Sequence, residues 1–245
     1  MTSTVLSPAP ATQEPPDARP DFGRLSVLFR DALLTACPSV ARAVVDCTLR
    51  AGASPEALYA EVMAPALHDV GRRWEAGQTS IARERLATTM TESLLAEIAG
   101  RATPKPPNGR RAVVACVDEE RHAVGARMVA DLLEAQGWEV GFLGADVPAD
   151  ALCDHVEDVR PALVALSVAM PANLRAAATT IDLLRALRPR PFVAIGGSAL
   201  GTPVATVLCE RADIATSDLH AFMRRVETIG GFSPASRPAP RAPRA

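Results

Sequence analysis

Glu120-Arg121-His122 is the segment of this chain best equipped for metal chemistry. An imidazole ligates a metal through one ring nitrogen, and a carboxylate two residues earlier can hold the other nitrogen and fix the ring. A histidine in a loop is also a common solvated or capping residue, so the meaning of His122 depends on what surrounds it. Gly196-Gly197 lets a ligand approach the backbone closely and leaves amides free to donate. Ser167 carries a hydroxyl that needs a partner if buried. Glycine pairs and serines are ordinary turn residues as well. Cys37, Cys47, Cys116, Cys153 and Cys209 lack CxxC spacing and indicate neither a zinc site nor a disulfide framework. No nucleophile–base pair or carboxylate pair can be placed, so no catalytic side chain is expected and reactive chemistry belongs to a cofactor.

The elements that must position these residues come in two textures. From Phe22 to Arg101 the apolar residues recur at helical spacing, which predicts four helices at about 22–36, 38–51, 54–76 and 79–100. Ser54-Pro55 reads as an N-cap followed by proline at the first helical position, and Pro65 is expected to kink or split the third helix. Residues 102–110 are a linker by composition. Beyond it, β-branched runs alternate with helical stretches, the strands being Ala112–Val117, Glu139–Leu143, Leu163–Ser167, Phe192–Ile195 and Asp213–Ala215. That alternation predicts an α/β region, 111–231, with a parallel sheet of about five strands behind a four-helix bundle, 22–101. Ligands in such sheets bind at the carboxyl ends of the strands. His122, Ser167 and Gly196-Gly197 all fall at that edge. His155 and His220 lie on predicted helices and read as surface residues, as does His68.

Composition sets the outer limits. With 48% hydrophobic and 22% charged residues over 245 positions, the chain can bury a sizeable core. A net charge of -2 gives no field favouring nucleic acid, and no separate basic helix-turn-helix precedes the sheet, so direct DNA binding is not expected. No stretch offers the roughly 18 apolar residues of a membrane span, and residues 1–20 have no signal-peptide pattern, which points to the cytoplasm. Residues 1–21 and the Pro/Arg-rich 232–245 read as disordered tails.

At this point the chain resembles the cobalamin-binding domains that hold the cofactor with its lower base displaced by a protein histidine. Their pattern is DxHxxG, SxL and GG; here Glu120-Arg121-His122-Ala123-Val124-Gly125, Ser167-Val168-Ala169 and Gly196-Gly197 follow in that order. The resemblance implies a flavodoxin-like, Rossmann-type sheet domain. It makes His122 the lower axial cobalt ligand, oriented by Glu120, with Ser167 lining a slot for the displaced nucleotide tail and Gly196 and Gly197 bordering it. Arg121, Val124, Gly125 and Val168 complete the binding residues. Two departures matter: Glu120 stands where aspartate is usual, which puts the strength of the relay at issue, and Ala169 replaces leucine, leaving volume that Met170 can fill.

The bundle is similar to the cap of cobalamin-dependent light-sensing repressors. Trp74 and Glu84 match residues that cover the upper corrin face, whereas the histidine after the glutamate is Arg85 here. In those sensors that histidine takes the alkyl group's place after illumination, which an arginine cannot do; His68, earlier on the Trp74 helix, is the alternative upper-face group beside its reading as a surface residue. The resemblance implies a light sensor holding adenosylcobalamin, or else methylcobalamin, between bundle and sheet. Light would cleave the cobalt–carbon bond and output would pass to a protein effector, with a light-dependent homo-oligomer as one route. Some such sensors pair cobalamin with a bilin, so biliverdin is a further expected ligand, although no cysteine is identified for covalent attachment. The competing reading is a corrinoid methyl carrier serving methyltransferases, which shares the architecture. A detached mutase subunit and a corrin-free flavodoxin-like domain are weaker alternatives.

Overall fold

Asp21 caps the first helix by accepting the Arg24 amide at 3.0 Å. The computed structural model describes residues 20–229; apart from Pro20 and Asp21, both expected tails lie outside the described residues. The bundle contains α1 (Phe22–Leu34), α2 (Pro38–Arg50), a divided third helix and α5 (Ile81–Arg101). Ser54 caps the divided helix by accepting the Ala57 amide at 3.1 Å, and Ser80 caps α5 through the Arg83 amide.

Pro65 splits the third helix in a specific manner. The segment runs as α3 (Pro55–Ala57), a π-turn (Leu58–Met63) and α4 (Ala64–Glu75). A proline lacks the amide for the ladder and crowds the carbonyls of the turn before it. The widened turn relieves that crowding, and the Ala64 amide reaches back five residues to the Tyr59 carbonyl.

The sheet consists of β1 (Arg111–Cys116), β2 (Glu139–Gly144), β3 (Leu163–Ser167), β4 (Phe192–Gly196) and β5 (Ile214–Ala215). All pairs are parallel, in the order β2-β1-β3-β4-β5. Helices α6 (Val124–Ala135), α7 (Ala149–Val159), α8 (Leu174–Ala186), α9 (Thr206–Arg211) and α10 (Leu219–Thr228) supply the crossovers and the final layer. This is the flavodoxin-like order, whose direction reverses between β1 and β3, so the chain leaves those two strands toward opposite faces and opens a crevice. Ala112 to Val117 are all buried because both faces of β1 are covered. Val113 and Ala115 pack with Leu152 of α7 and Ile181 of α8, while Val114 packs with Met128 of α6, Phe222 of α10 and the bundle. No helix among the described residues is long and apolar enough to cross a membrane. The five cysteines are free.

Candidate functional site

Cys116, Ser167 and Gly196 lie side by side in the parallel register, so motifs distant in sequence share one sheet edge. After β1 the chain turns through Glu119, whose backbone is left-handed at φ 64°. The loop after β2 holds this turn: Asp146 accepts the Glu119 amide at 2.8 Å, and its own amide donates to the Glu120 carbonyl at 2.9 Å.

Glu120 is completely buried. Its Oε2 accepts the amides of Ala169 and Met170, each at 2.8 Å, and the Asn173 side-chain amide at 3.1 Å. Its Oε1 accepts the His122 amide at 3.0 Å and lies 2.5 Å from His122 Nδ1. The longer glutamate is therefore accommodated with the carboxylate–imidazole contact intact. Burial pushes this carboxyl up, but the His122 ring and the amides of Met170, His122 and Ala169 outweigh it and hold the pKa at about 2. The bond to Glu120 raises the His122 pKa against the opposing effect of burial, and the charges of Glu120, Glu84 and Glu75 add to the rise. Two of those carboxylates belong to the bundle, whose field thus reaches the ring. With Nδ1 engaged and the side chain 46% exposed, Nε2 has no hydrogen-bond partner among the described residues.

Beside this pair a slot runs between α6 and α10 down to the sheet. Val114, Ala165 and Ala194 form its floor, Met128 and Phe222 its apolar sides. Gly125, Ser167, Gly196 and Gly197 are among the residues that line it. Gly197 adopts φ 115°, and a Cβ there would lie 2.1 Å from the Val168 carbonyl oxygen. At Gly125 a Cβ would meet nothing within 4 Å, so the glycine faces open space.

The other expected binding residues lie outside the slot lining. Val168 is buried beneath Gly197 and Val124 is buried at the start of α6, whereas Arg121 is exposed; none lines the slot. Trp74 is half-buried near the end of α4, and Glu84, half-buried on α5, accepts the Thr88 hydroxyl at 3.2 Å; both stand away from the slot wall. Arg85 is exposed. Met170 donates its amide to Glu120 and is not among the residues that line the slot. His68 is exposed but lines the slot from the bundle. His220 is not a free surface residue: its Nδ1 lies 2.5 Å from Glu56 and its Nε2 3.1 Å from Glu61, across to the bundle. His155 is half-buried on α7. Asn173, which holds Glu120 from below α8, was not signalled by the sequence beyond being a capping type six residues after Ser167.

A family model described as B12 binding domain matches residues 110–215, and another of the same description matches residues 29–98. The chain belongs to the B12-binding domain family. This B12-binding chain is similar to the HTH-type transcriptional repressor CarH of Myxococcus xanthus, with 34% identity over 201 residues. The match covers 80% of this chain and 64% of CarH, so the chain spans just under two thirds of that relative's length. It is also similar to a dimethylamine corrinoid protein of Methanosarcina barkeri, 24% identical over 69% of this chain and 80% of the relative. The structure of the Methanosarcina barkeri monomethylamine corrinoid protein shares the fold, with a TM-score of 0.69 at 18% identity, over 84% of this chain and 99% of that one.

Cobalamin is the cofactor class this B12-binding family implies, and the residues present fit it. A corrin would carry its own metal, so the protein would need to offer a single donor such as His122 and no cage of ligands. Among the described residues no three His, Cys, Asp or Glu side chains cluster to hold a bare ion. One imidazole with its second nitrogen uncommitted lies on the strand-end loop, three residues before Gly125, which lines the slot and faces open space.

Proposed function

We propose that the chain holds cobalamin with its lower base displaced, His122 Nε2 serving as the axial donor, and that it works as a light-responsive regulator carrying adenosylcobalamin. The observation that carries the first part is the Glu120–His122 pair, a buried carboxylate holding one ring nitrogen at 2.5 Å while the other has no partner among the described residues. Glu120 orients the ring, Asn173 and the Ala169 and Met170 amides orient Glu120, and the slot beside them receives the displaced tail. Bound adenosylcobalamin supplies a cobalt–carbon bond that visible light breaks. Trp74 and Glu84 would cover the upper face from the bundle, which passes the change to a protein partner. The regulator reading is supported by the 34% identity to CarH over 80% of this chain, and by the resemblance of Trp74 and Glu84 to the cap of light-sensing repressors.

The test is reconstitution with adenosylcobalamin and methylcobalamin, each with and without biliverdin, followed by absorption and size measurements before and after illumination. A light-induced change in both readouts with adenosylcobalamin is expected; unchanged spectra and size would overturn the sensor reading. The bilin expectation rests on the resemblance alone and stands or falls with the biliverdin arm. His122→Ala is expected to lose the displaced-base spectrum, and retention of that spectrum would remove His122 as the ligand.

A methyl carrier is the second reading, favoured by the corrinoid protein relative, of which the match covers 80%. Retention of methylcobalamin in the light, with its methyl group passed on to an added methyl acceptor by a partner methyltransferase, would favour it over the sensor.

A further inference from the structure

The slot is not closed by the α/β region alone. Ala64 and His68, one turn apart on α4, form part of its wall. Exposure sorts that wall into floor and rim: Val114, Ala165 and Ala194 are buried, while His68, Ser198 and Asp218 are exposed. The floor suits a flat apolar base; at the rim His68 can donate to an oxygen of a sugar-phosphate, whereas the Asp218 carboxylate can only accept, from a sugar hydroxyl. Asp218 already spends one oxygen capping α10, where it accepts the Ala221 amide at 3.1 Å. Ser198 donates its hydroxyl to the Ala169 carbonyl at 3.0 Å. His68 differs from both, because its ring makes no hydrogen bond to any described residue. Desolvation by the surrounding protein, with the Arg72 charge adding to it, holds its pKa below the ordinary imidazole value. A neutral ring offers one N–H donor and one acceptor nitrogen.

We propose that His68 is a positioning residue for the cofactor's nucleotide tail, hydrogen-bonding an oxygen of its ribose-phosphate and so tying the bundle to the tail. The inference rests on the reading above that the slot receives the tail. It gives the bundle a second hold on the ligand, independent of any cover over the corrin. Displacement of the bundle then loosens the tail in its slot, and a seated tail draws α4 toward the sheet.

Two ligands separate this from every other role of His68: adenosylcobalamin, and adenosylcobinamide, which has the same corrin and upper ligand but no nucleotide tail. Dissociation constants are measured in the dark for the full chain, for His68→Ala and for His68→Gln, with thermal unfolding of each ligand-free protein as a check on folding. The wild type is expected to prefer adenosylcobalamin. His68→Ala should weaken adenosylcobalamin by roughly five- to tenfold, the loss of one hydrogen bond, while adenosylcobinamide stays within roughly twofold. His68→Gln, which restores a donor and an acceptor, should recover part of the loss. An equal loss for both ligands, or none for either, overturns the inference while leaving the slot reading standing. A wild type that binds both ligands equally overturns the slot reading and the inference with it.

Discussion

Gly125 and Gly197 both line the slot, but a side chain added at each meets opposite circumstances. At Gly197 a Cβ would stand 2.1 Å from the Val168 carbonyl oxygen, on a backbone at φ 115° that side chains rarely adopt. Val168 cannot retreat, since its amide donates to the Gly196 carbonyl at 2.9 Å and its carbonyl accepts the Ala199 amide at 3.3 Å. Gly197→Ala is therefore expected to cost the ligand-free protein about 2–4 kcal/mol in urea unfolding. Gly125 lies in the first turn of α6 with nothing within 4 Å of its missing Cβ. Gly125→Ala should leave stability unchanged or raise it by up to about 1 kcal/mol, as alanine does over glycine in a helix. If the cofactor passes over this position, the same methyl group weakens cobalamin binding by roughly tenfold or more. A stable Gly125→Ala protein with wild-type affinity in a spectroscopic titration would remove that residue from the ligand's path. The two glycines thus separate a position whose backbone shapes the protein from one that the protein itself leaves open.

The divided third helix explains a contact between residues 164 positions apart. Glu56 and Glu61 are five residues apart, which in a straight α-helix places them roughly 140° apart around the axis. The π-turn ahead of Pro65 bonds to the fifth residue back and stacks such positions more closely, so both carboxylates reach His220 on α10. Each ring nitrogen faces a carboxylate oxygen, and only the protonated imidazolium can donate from both. The bond to Glu56 raises the His220 pKa from the ordinary 6.5 against the opposing effect of burial, and the Glu56 charge and the Glu61 contact add to the rise. A raised folded pKa means the clasp stabilises fully below that ordinary value and is lost as pH rises through the folded one. The groups are partly solvated, so the effect is about 1 kcal/mol or less. Thermal unfolding of the ligand-free chain and of His220→Gln, at about pH 6 and about pH 9, should give a smaller alkaline drop in the variant. Equal drops would refute the clasp. What was legible beforehand follows from the same physics. The buried runs at 112–117 and 163–167 announced their strands because both faces are covered, and Pro65 announced a break. Proline alone does not specify a widened turn, however, and nothing local to His220 discloses a partner on another element, or to His68 a place on the slot. Glu120 and His122 were readable because their contact spans two residues; Asn173 was not, because its role is set by the β3-to-α8 loop.

At the scale of the whole molecule, the bundle is not a separate lid. One apolar core runs from Phe29 and Leu33 of α1 through Tyr59 and Leu95 to Leu133 of α6 and Val114 of β1. The Tyr59 hydroxyl, buried on the π-turn, donates to Asp131 of α6 at 3.5 Å, and the His220 clasp fastens the same segment to α10. Neither the bundle nor the sheet can unfold without exposing the other's buried face. The chain is accordingly expected to melt in one calorimetric transition, with the calorimetric enthalpy equal to the van't Hoff value. Cobalamin at about 100 times its Kd adds about 2.7 kcal/mol, which raises the midpoint of that transition by about 5–11 °C for a chain of this size. Two transitions, of which cobalamin moves only one, would make the bundle an independently folded cover. Its release would then have to be driven by contacts to the upper corrin face alone. A single transition moved as a whole means instead that ligand, slot and bundle share one free-energy balance. Any event that loosens the ligand then weakens the bundle's hold on the sheet by the same amount, and a partner that binds the loosened bundle reads the state of the cofactor without touching it.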